Sequence, residues 1–101
     1  MQSIKQYKNL NNVLKRFKLS YIDLIVLYYA YDKSLLSSSF GAYSIVSDCS
    51  LSVNGVYVAL DHLADTPNPK ILPTDKKGQF KLTASGKRLV KQIETFLNEL
   101  D

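Results

Sequence analysis

The chain has 101 residues, of which 46% are hydrophobic, and its net charge is +4. This length suits one domain with a single core, and the hydrophobic share excludes intrinsic disorder. No apolar run reaches the roughly 18 residues of a membrane-spanning helix, and residues 1–18 lack the apolar centre of a signal peptide. We therefore expect a cytoplasmic protein without a membrane partner.

Groups suited to catalysis are scarce. Cys49 and His62 are the only residues of their types, so one chain can form neither a disulfide nor a cysteine-based metal cluster. The glycines do not form a phosphate-binding loop. We expect no enzymatic activity, no cofactor and no bound metal. Cys49 is interpreted as a buried small residue, with a redox switch as the alternative, and His62 as a half-exposed surface or packing residue.

Charge is unevenly distributed along the chain. Residues 1–18 carry five basic residues and no acid, and residues 70–91 carry seven basic residues and one acid. The segment between them, residues 19–69, has one basic residue and five acids. Two basic segments around an acidic middle favour a polyanionic partner contacted by particular elements, although solvated surface lysines would give the same pattern.

The first half of the chain predicts two helices. Apolar residues repeat every three or four positions over residues 3–18, which is typical of one helix face. Ser20 and Asp23 form a helix-start signal, after which residues 21–31 are apolar on almost every side. We predict that this second helix is central and buried, with a buried strand as the alternative.

Residues 40–66 predict a short helix, a turn and a longer helix. Val53, Val56, Leu60 and Leu63 have helical spacing, and Ser52 can cap the helix that they define. Two helices joined by such a turn are typical of a helix-turn-helix, whose second helix enters the DNA major groove.

The last third of the chain predicts a hairpin and a helix. Over residues 70–83, strands at 70–72 and 79–82 flank a turn in which Gly78 can take a positive φ, and Pro73 requires an edge strand. A final helix over residues 84–100 follows.

Both terminal helices carry an apolar stripe, and we doubt that one protomer of this size can bury both. We therefore predict a homodimer, with both stripes folded onto one core as the alternative. The predicted dimerisation residues are Tyr7, Leu10, Leu14, Phe17, Leu89, Ile93, Phe96 and Leu100.

The order of these elements is that of a winged helix-turn-helix, and the chain resembles the MarR and SarA groups of bacterial regulators. Residues 17–30 (FKLSYIDLIVLYYA) look like their second helix, and residues 44–65 look like their helix-turn-helix. Residues 82–87 (LTASGK) are similar to the L-T-x-x-G sequence at the start of their last helix. PadR-like, plasmid and phage winged-helix proteins match about as well. The expected fold is mainly α, with five helices and a two-stranded wing in one domain over residues 1–101.

This resemblance implies a small dimeric regulator, most simply a repressor, that binds duplex DNA. By position, the residues implied to contact bases are Ser52, Asn54, Gly55, Tyr57 and Val58. The residues implied to contact the DNA backbone, in the wing and the first helix, are Lys70, Lys76, Lys77, Lys81, Lys15, Arg16 and Lys18.

One departure from the family keeps two alternatives open. No Arg or Lys lies between Leu51 and Thr66, and Asp61 and Asp65 lie there instead. Acids repel phosphate, so base contacts are expected only from the first turn or so of the helix. The chain could instead bind single- or double-stranded DNA with low specificity for a mobile element, with base stacking on Tyr7, Tyr43 or Tyr57 left open. It could also be a protein-interaction winged helix that does not bind DNA.

Overall fold

The computed structural model describes residues 4–37 and 39–100, which form a mainly helical fold with a small antiparallel sheet. In chain order the elements are α1 (Ile4–Phe17), α2 (Tyr21–Ser34), β1 (Phe40–Gly41), α3 (Ala42–Cys49), α4 (Val53–Ala64), β2 (Ile71–Pro73), β3 (Gln79–Leu82) and α5 (Ala84–Leu100). Within these residues, none of the helices has the length and apolar character needed to cross a membrane.

Helix α2 is the centre of the fold. Val26, Leu27 and Ala30 are buried, and the helix packs against α4, α5 and β3. The predicted capping signal is confirmed: Ser20 Oγ accepts the Asp23 N–H at 3.0 Å, and Asp23 Oδ2 accepts the Ser20 N–H at 2.9 Å. The helix continues to Ser34, three residues beyond the predicted end, and the strand alternative is wrong.

The sheet has three strands among the described residues, whereas two were predicted. Phe40 and Gly41, which lie in the segment predicted as a helix-turn-helix, form β1 and pair with Phe80 and Gln79 of β3. The strand order is β1-β3-β2, so β2 is an edge strand, as the position of Pro73 requires. Lys70 precedes β2, which starts at Ile71.

The turn between β2 and β3 lies against the start of α3. Gly78 has a φ of +79°, and the Lys76 carbonyl accepts the Gln79 N–H at 3.1 Å. The Gly78 carbonyl accepts the Ala42 N–H at 3.2 Å. The hairpin tip is therefore held beside the α3–α4 unit by backbone hydrogen bonds.

The terminal helices pack against each other within one protomer. Val13 of α1 and Leu89 and Ile93 of α5 are buried, and the rings of Phe17 and Phe96 meet edge to face at 5.8 Å. One protomer thus buries the centre of the α5 stripe, because α5 packs on α1 and α2 together, whereas the α1 stripe is only half-buried and its Tyr7 is exposed.

This packing changes the set of residues that could serve a dimer. Leu89 and Ile93 are enclosed in the core and present no surface to a second protomer. Tyr7 is exposed, and the remaining predicted dimerisation residues are half-buried: Leu10, Leu14, Phe17, Phe96 and Leu100. The homodimer stays a prediction, without Leu89 and Ile93.

Candidate nucleic-acid interface

The turn between α3 and α4 is fixed by backbone geometry and one side-chain cap. Ser50 ends α3 in the left-handed conformation at φ 54°, and its N–H donates to the Val46 carbonyl. Ser52 Oγ accepts the Gly55 N–H at 3.0 Å, which confirms the predicted N-cap of α4. The first turn of α4 is therefore held in a defined position.

Cys49 lies at the end of α3, half-buried against the core. Burial raises the pKa of its thiol, and the charge of the adjacent Asp48 raises it further. A higher thiol pKa means less of the reactive thiolate at neutral pH. This environment favours the packing role over the redox switch.

Helix α4 has a core face and a solvent face. Val56, Ala59, Leu60 and Leu63 are buried. The solvent face carries Val53, Asn54, Val58 and Asp61, and Asp65 is exposed just after the end of the helix. Three of the predicted base-contact residues, Ser52, Asn54 and Val58, are thus exposed.

The other two predicted base-contact residues are placed differently. A Cβ on Gly55 would lie 3.2 Å from Ile22 Cδ1 of α2, so Gly55 faces α2 and lets the two helices approach closely. Gly55 is half-buried, and its predicted contact with a base stays a prediction. Tyr57 is half-buried between the rings of Tyr43 and Phe80, at centroid distances of 6.3 and 6.5 Å.

Tyr57 belongs to a row of aromatic rings that the sequence did not predict. The row continues from Phe80 to Phe40 at 6.3 Å, and from Phe40 to Tyr29 of α2 at 6.1 Å. At its outer end Tyr43 is 66% exposed. The row connects the surface beside the hairpin tip with the central helix.

The hairpin carries positive charge without acidic partners. Lys76 and Lys77 are exposed at the tip, and Lys81 is exposed on β3. Within residues 4–37 and 39–100, none of the three forms an ion pair. Their ammonium groups are thus open to an anionic ligand.

Lys70, also predicted as a backbone contact, is engaged within the fold. Its Nζ donates to the Asn68 carbonyl at 2.8 Å and to Ser85 Oγ at 3.0 Å. It ties the loop before β2 to the start of α5. Lys70 therefore does not belong with the exposed hairpin lysines.

The basic end of α1 is separate from the hairpin. The Arg16 guanidinium lies 5.2 Å from the centre of the Phe96 ring. Phe96 is ten residues after Gly86, about 15 Å along α5, whereas Gly86 lies beside Lys70 at the hairpin base. Lys15 and Lys18 are exposed near Arg16. If the protein binds DNA, these three residues would contact a different part of the DNA from the part that the hairpin contacts.

The acids near α4 differ in their surroundings. Asp48 accepts a hydrogen bond from the Tyr29 hydroxyl at 2.7 Å. Burial, followed by this hydrogen bond, raises the pKa of Tyr29 to about 12. Asp61 and Asp65 are exposed, and they make the second half of α4 unfavourable for contact with phosphate.

A part-buried contact between α4 and α2 has no signal in the sequence. Asp23 is 2% exposed, and its Oδ2 lies 2.5 Å from His62 Nδ1. A carboxylate only accepts, so the Nδ1–H of His62 donates. His62 thus connects the last turn of α4 to the capped start of α2, and no local sequence signal joins residues 39 positions apart.

Replacing Asp23 by alanine is expected to lower the free energy of unfolding by about 1–2 kcal/mol, the scale of a lost helix cap. The substitution removes the acceptor of both the Ser20 N–H and His62. Urea denaturation followed by circular dichroism measures the loss. Asp61→Ala, an exposed acid one position before His62, is the control and should change stability by less than about 0.5 kcal/mol. Equal effects would show that the contacts of Asp23 with Ser20 and His62 contribute nothing to stability.

Comparison of the chain with protein-family models, curated proteins and solved structures finds no match. A functional assignment therefore depends on the residues described above. They include two unpaired lysines at a hairpin tip that is hydrogen-bonded to the start of α3, and an exposed, capped start of α4. Exposed positive charge of this kind is suited to contact with a polyanion.

Proposed function

We propose that the chain is a winged helix-turn-helix protein that binds duplex DNA as a regulator of the MarR/SarA or PadR-like kind, most simply a repressor. The observation that carries the proposal is the placement of the hairpin. Pairing of β1 with β3, together with the Ala42–Gly78 hydrogen bond, holds Lys76 and Lys77 beside the α3–α4 unit. The hairpin is the wing in this proposal.

The order of the elements supports the same proposal. Helices α3 and α4 are joined by a short turn, and the hairpin and α5 follow them. In this proposal α3 and α4 are the helix-turn-helix. The start of α4 would enter the major groove, and the wing lysines would contact the backbone beside it. Binding as a dimer is part of the proposal, through surfaces other than Leu89 and Ile93.

Base contact is assigned to the first turn of α4. Ser52 and Asn54 are exposed there, and an asparagine can pair with adenine through two hydrogen bonds. Asp61 and Asp65 keep the later turns away from phosphate. In this proposal the wing lysines supply most of the affinity for DNA, and the first turn of α4 supplies the sequence specificity.

Asn54→Ala is expected to weaken binding to a duplex selected by the protein from genomic fragments by about tenfold, since a bidentate base contact contributes about 1–3 kcal/mol. Binding to random duplex should stay within about twofold. Fluorescence anisotropy with both duplexes measures the two affinities. Asn98→Ala, which removes an exposed asparagine from α5, is the matched control and should change neither. Equal weakening of both duplexes by Asn54→Ala would exclude a base-reading role.

A second candidate function is low-specificity DNA binding in replication or partition of a mobile element. The exposed acids and the lack of Arg or Lys on α4 favour it. Competition among the selected duplex, a random duplex and a single strand separates the two, because similar affinities for all three would favour the second candidate. Failure to bind any DNA at about 50 mM salt would instead favour a protein partner for the exposed Val58 face.

A further inference from the structure

Tyr43 is the most exposed tyrosine in the described residues, and its ring packs against that of Tyr57. The residue is 66% exposed, and its ring meets the Tyr57 ring at a centroid distance of 6.3 Å, with the planes at 75°. Tyr57 rests in turn against Phe80 of β3. Tyr43 is thus supported on one side by the packed ring of Tyr57, while most of its surface is open to solvent.

The hairpin tip, which carries Lys76 and Lys77, is joined by backbone hydrogen bonds to the residues just before Tyr43. Gly41, two residues before Tyr43, pairs with Gln79, and Ala42 donates to the Gly78 carbonyl. Lys76 and Lys77 immediately precede Gly78 and form no ion pair within the described residues. An open aromatic ring beside unpaired lysines is the combination that proteins use to bind single-stranded nucleic acid.

The position of Tyr43 favours an unpaired base over a duplex. Bases inside a duplex are stacked on each other and offer only their edges to a protein. Tyr43 lies at the start of α3 rather than on the exposed face of α4, so it is not placed to read groove edges. A base released from the helix presents a full π-face, on which a tyrosine ring can stack whatever the sequence.

We propose that Tyr43, supported by Tyr57, stacks on an unpaired DNA base while Lys76 and Lys77 hold the adjoining backbone. The preferred ligand is then a duplex that continues into a single-stranded tail. This inference rests on the proposed function for its partner, DNA, and adds to it the site and the structural class of that DNA.

The test compares three labelled ligands by fluorescence anisotropy: a blunt duplex, the same duplex with a six-nucleotide thymidine tail, and the tailed duplex with abasic tail positions. The thymidine tail is expected to bind about tenfold more tightly than the blunt duplex, the scale of one stacked base. The abasic tail keeps the phosphates but lacks the bases, so it should bind no more than about threefold more tightly than the blunt duplex.

Substitutions of Tyr43 test whether its ring causes the preference for the tailed duplex. Tyr43→Ala should abolish the tail preference and leave affinity for the blunt duplex within about twofold, whereas Tyr43→Phe should retain the preference. Tyr21→Ala, which removes a similarly exposed tyrosine at the start of α2, is the matched control and should retain it. Thermal melts of all variants check folding, and Tyr43 is exposed enough for alanine to be tolerated.

The outcomes separate this inference from the proposed function. Blunt-duplex binding without a tail preference, or an abasic tail that binds as well as the thymidine tail, would overturn the stacking site and leave the proposed function standing. Tight binding of the tailed ligand without binding of the blunt duplex would support the stacking site and overturn duplex recognition. Failure to bind any of the three ligands would overturn both and indicate a protein partner for Tyr43.

Discussion

Replacing Lys76 and Lys77 together by alanine is expected to weaken binding to every duplex alike and to lower its dependence on salt. Each phosphate contact that a lysine neutralises contributes about 0.9 to the slope of log affinity against log salt. Losing two contacts should therefore reduce the slope by about 2, with selected and random duplexes affected equally. Affinities measured between about 50 and 200 mM salt give the slope for the original chain and the variant.

A control must separate the effect of lowering the net charge from the effect of removing the hairpin lysines. The double variant Lys5→Ala and Lys8→Ala removes the same charge from α1, where both lysines are exposed, and is expected to leave the slope nearly unchanged. If both double variants lowered the slope equally, affinity would follow net charge rather than the hairpin. If neither did, the proposed wing contact would be wrong.

Features encoded over a few residues were predictable from the sequence. The Ser20–Asp23 capping box, the Ser52 cap and the positive φ of Gly78 each depend on neighbours within about three positions, and all three are confirmed. The burial of α2 followed from its lack of a polar face. Such features depend on local backbone chemistry, which a sequence shows directly.

Features that join distant segments were not predictable. Strand β1 has only two residues, too few for an alternating pattern, and exists because Phe40 meets Phe80. His62 and Asp23 likewise meet only through the packing of α4 on α2. The terminal stripes show the same limit, since periodicity identifies an apolar face without showing what covers it.

The candidate site was predictable in its charges but not in its geometry. The lysines of residues 70–83 are visible in the sequence, yet only the structure separates Lys70, held by Asn68 and Ser85, from the unpaired Lys76 and Lys77. The environment of Tyr43 depends on the hairpin turning back to the start of α3. The exposure of Tyr43 alone therefore does not identify it as a binding residue, and its neighbours in the fold are needed as well.

Gly86→Ala is expected to destabilise the protein by about 3 kcal/mol, the upper end of the usual cost of overpacking. A Cβ on Gly86 would lie 2.4 Å from the Lys70 carbonyl oxygen and 2.5 Å from Leu82 Cδ1. The carbonyl belongs to a fixed backbone, because the Thr83 N–H donates to it at 3.0 Å. Thr83 Oγ1 also accepts the Gly86 N–H at 3.0 Å, so the L-T-x-x-G sequence joins the hairpin base to α5.

The expected change in the free energy of unfolding has the opposite sign to the usual effect of replacing glycine by alanine in a helix. In a helix without such contacts, replacing glycine by alanine stabilises by up to about 1 kcal/mol, because alanine has the higher helix propensity. Gly55→Ala in α4 is the comparison, since its Cβ would approach only the side-chain atoms of Ser52 and Ile22, and it should cost less. Urea denaturation of both variants gives the free energies of unfolding. A stabilised Gly86→Ala variant would show that the hairpin base does not pack tightly against α5. The contact of Gly86 with Lys70 and Leu82 would then no longer be an argument for the position of the hairpin beside α3.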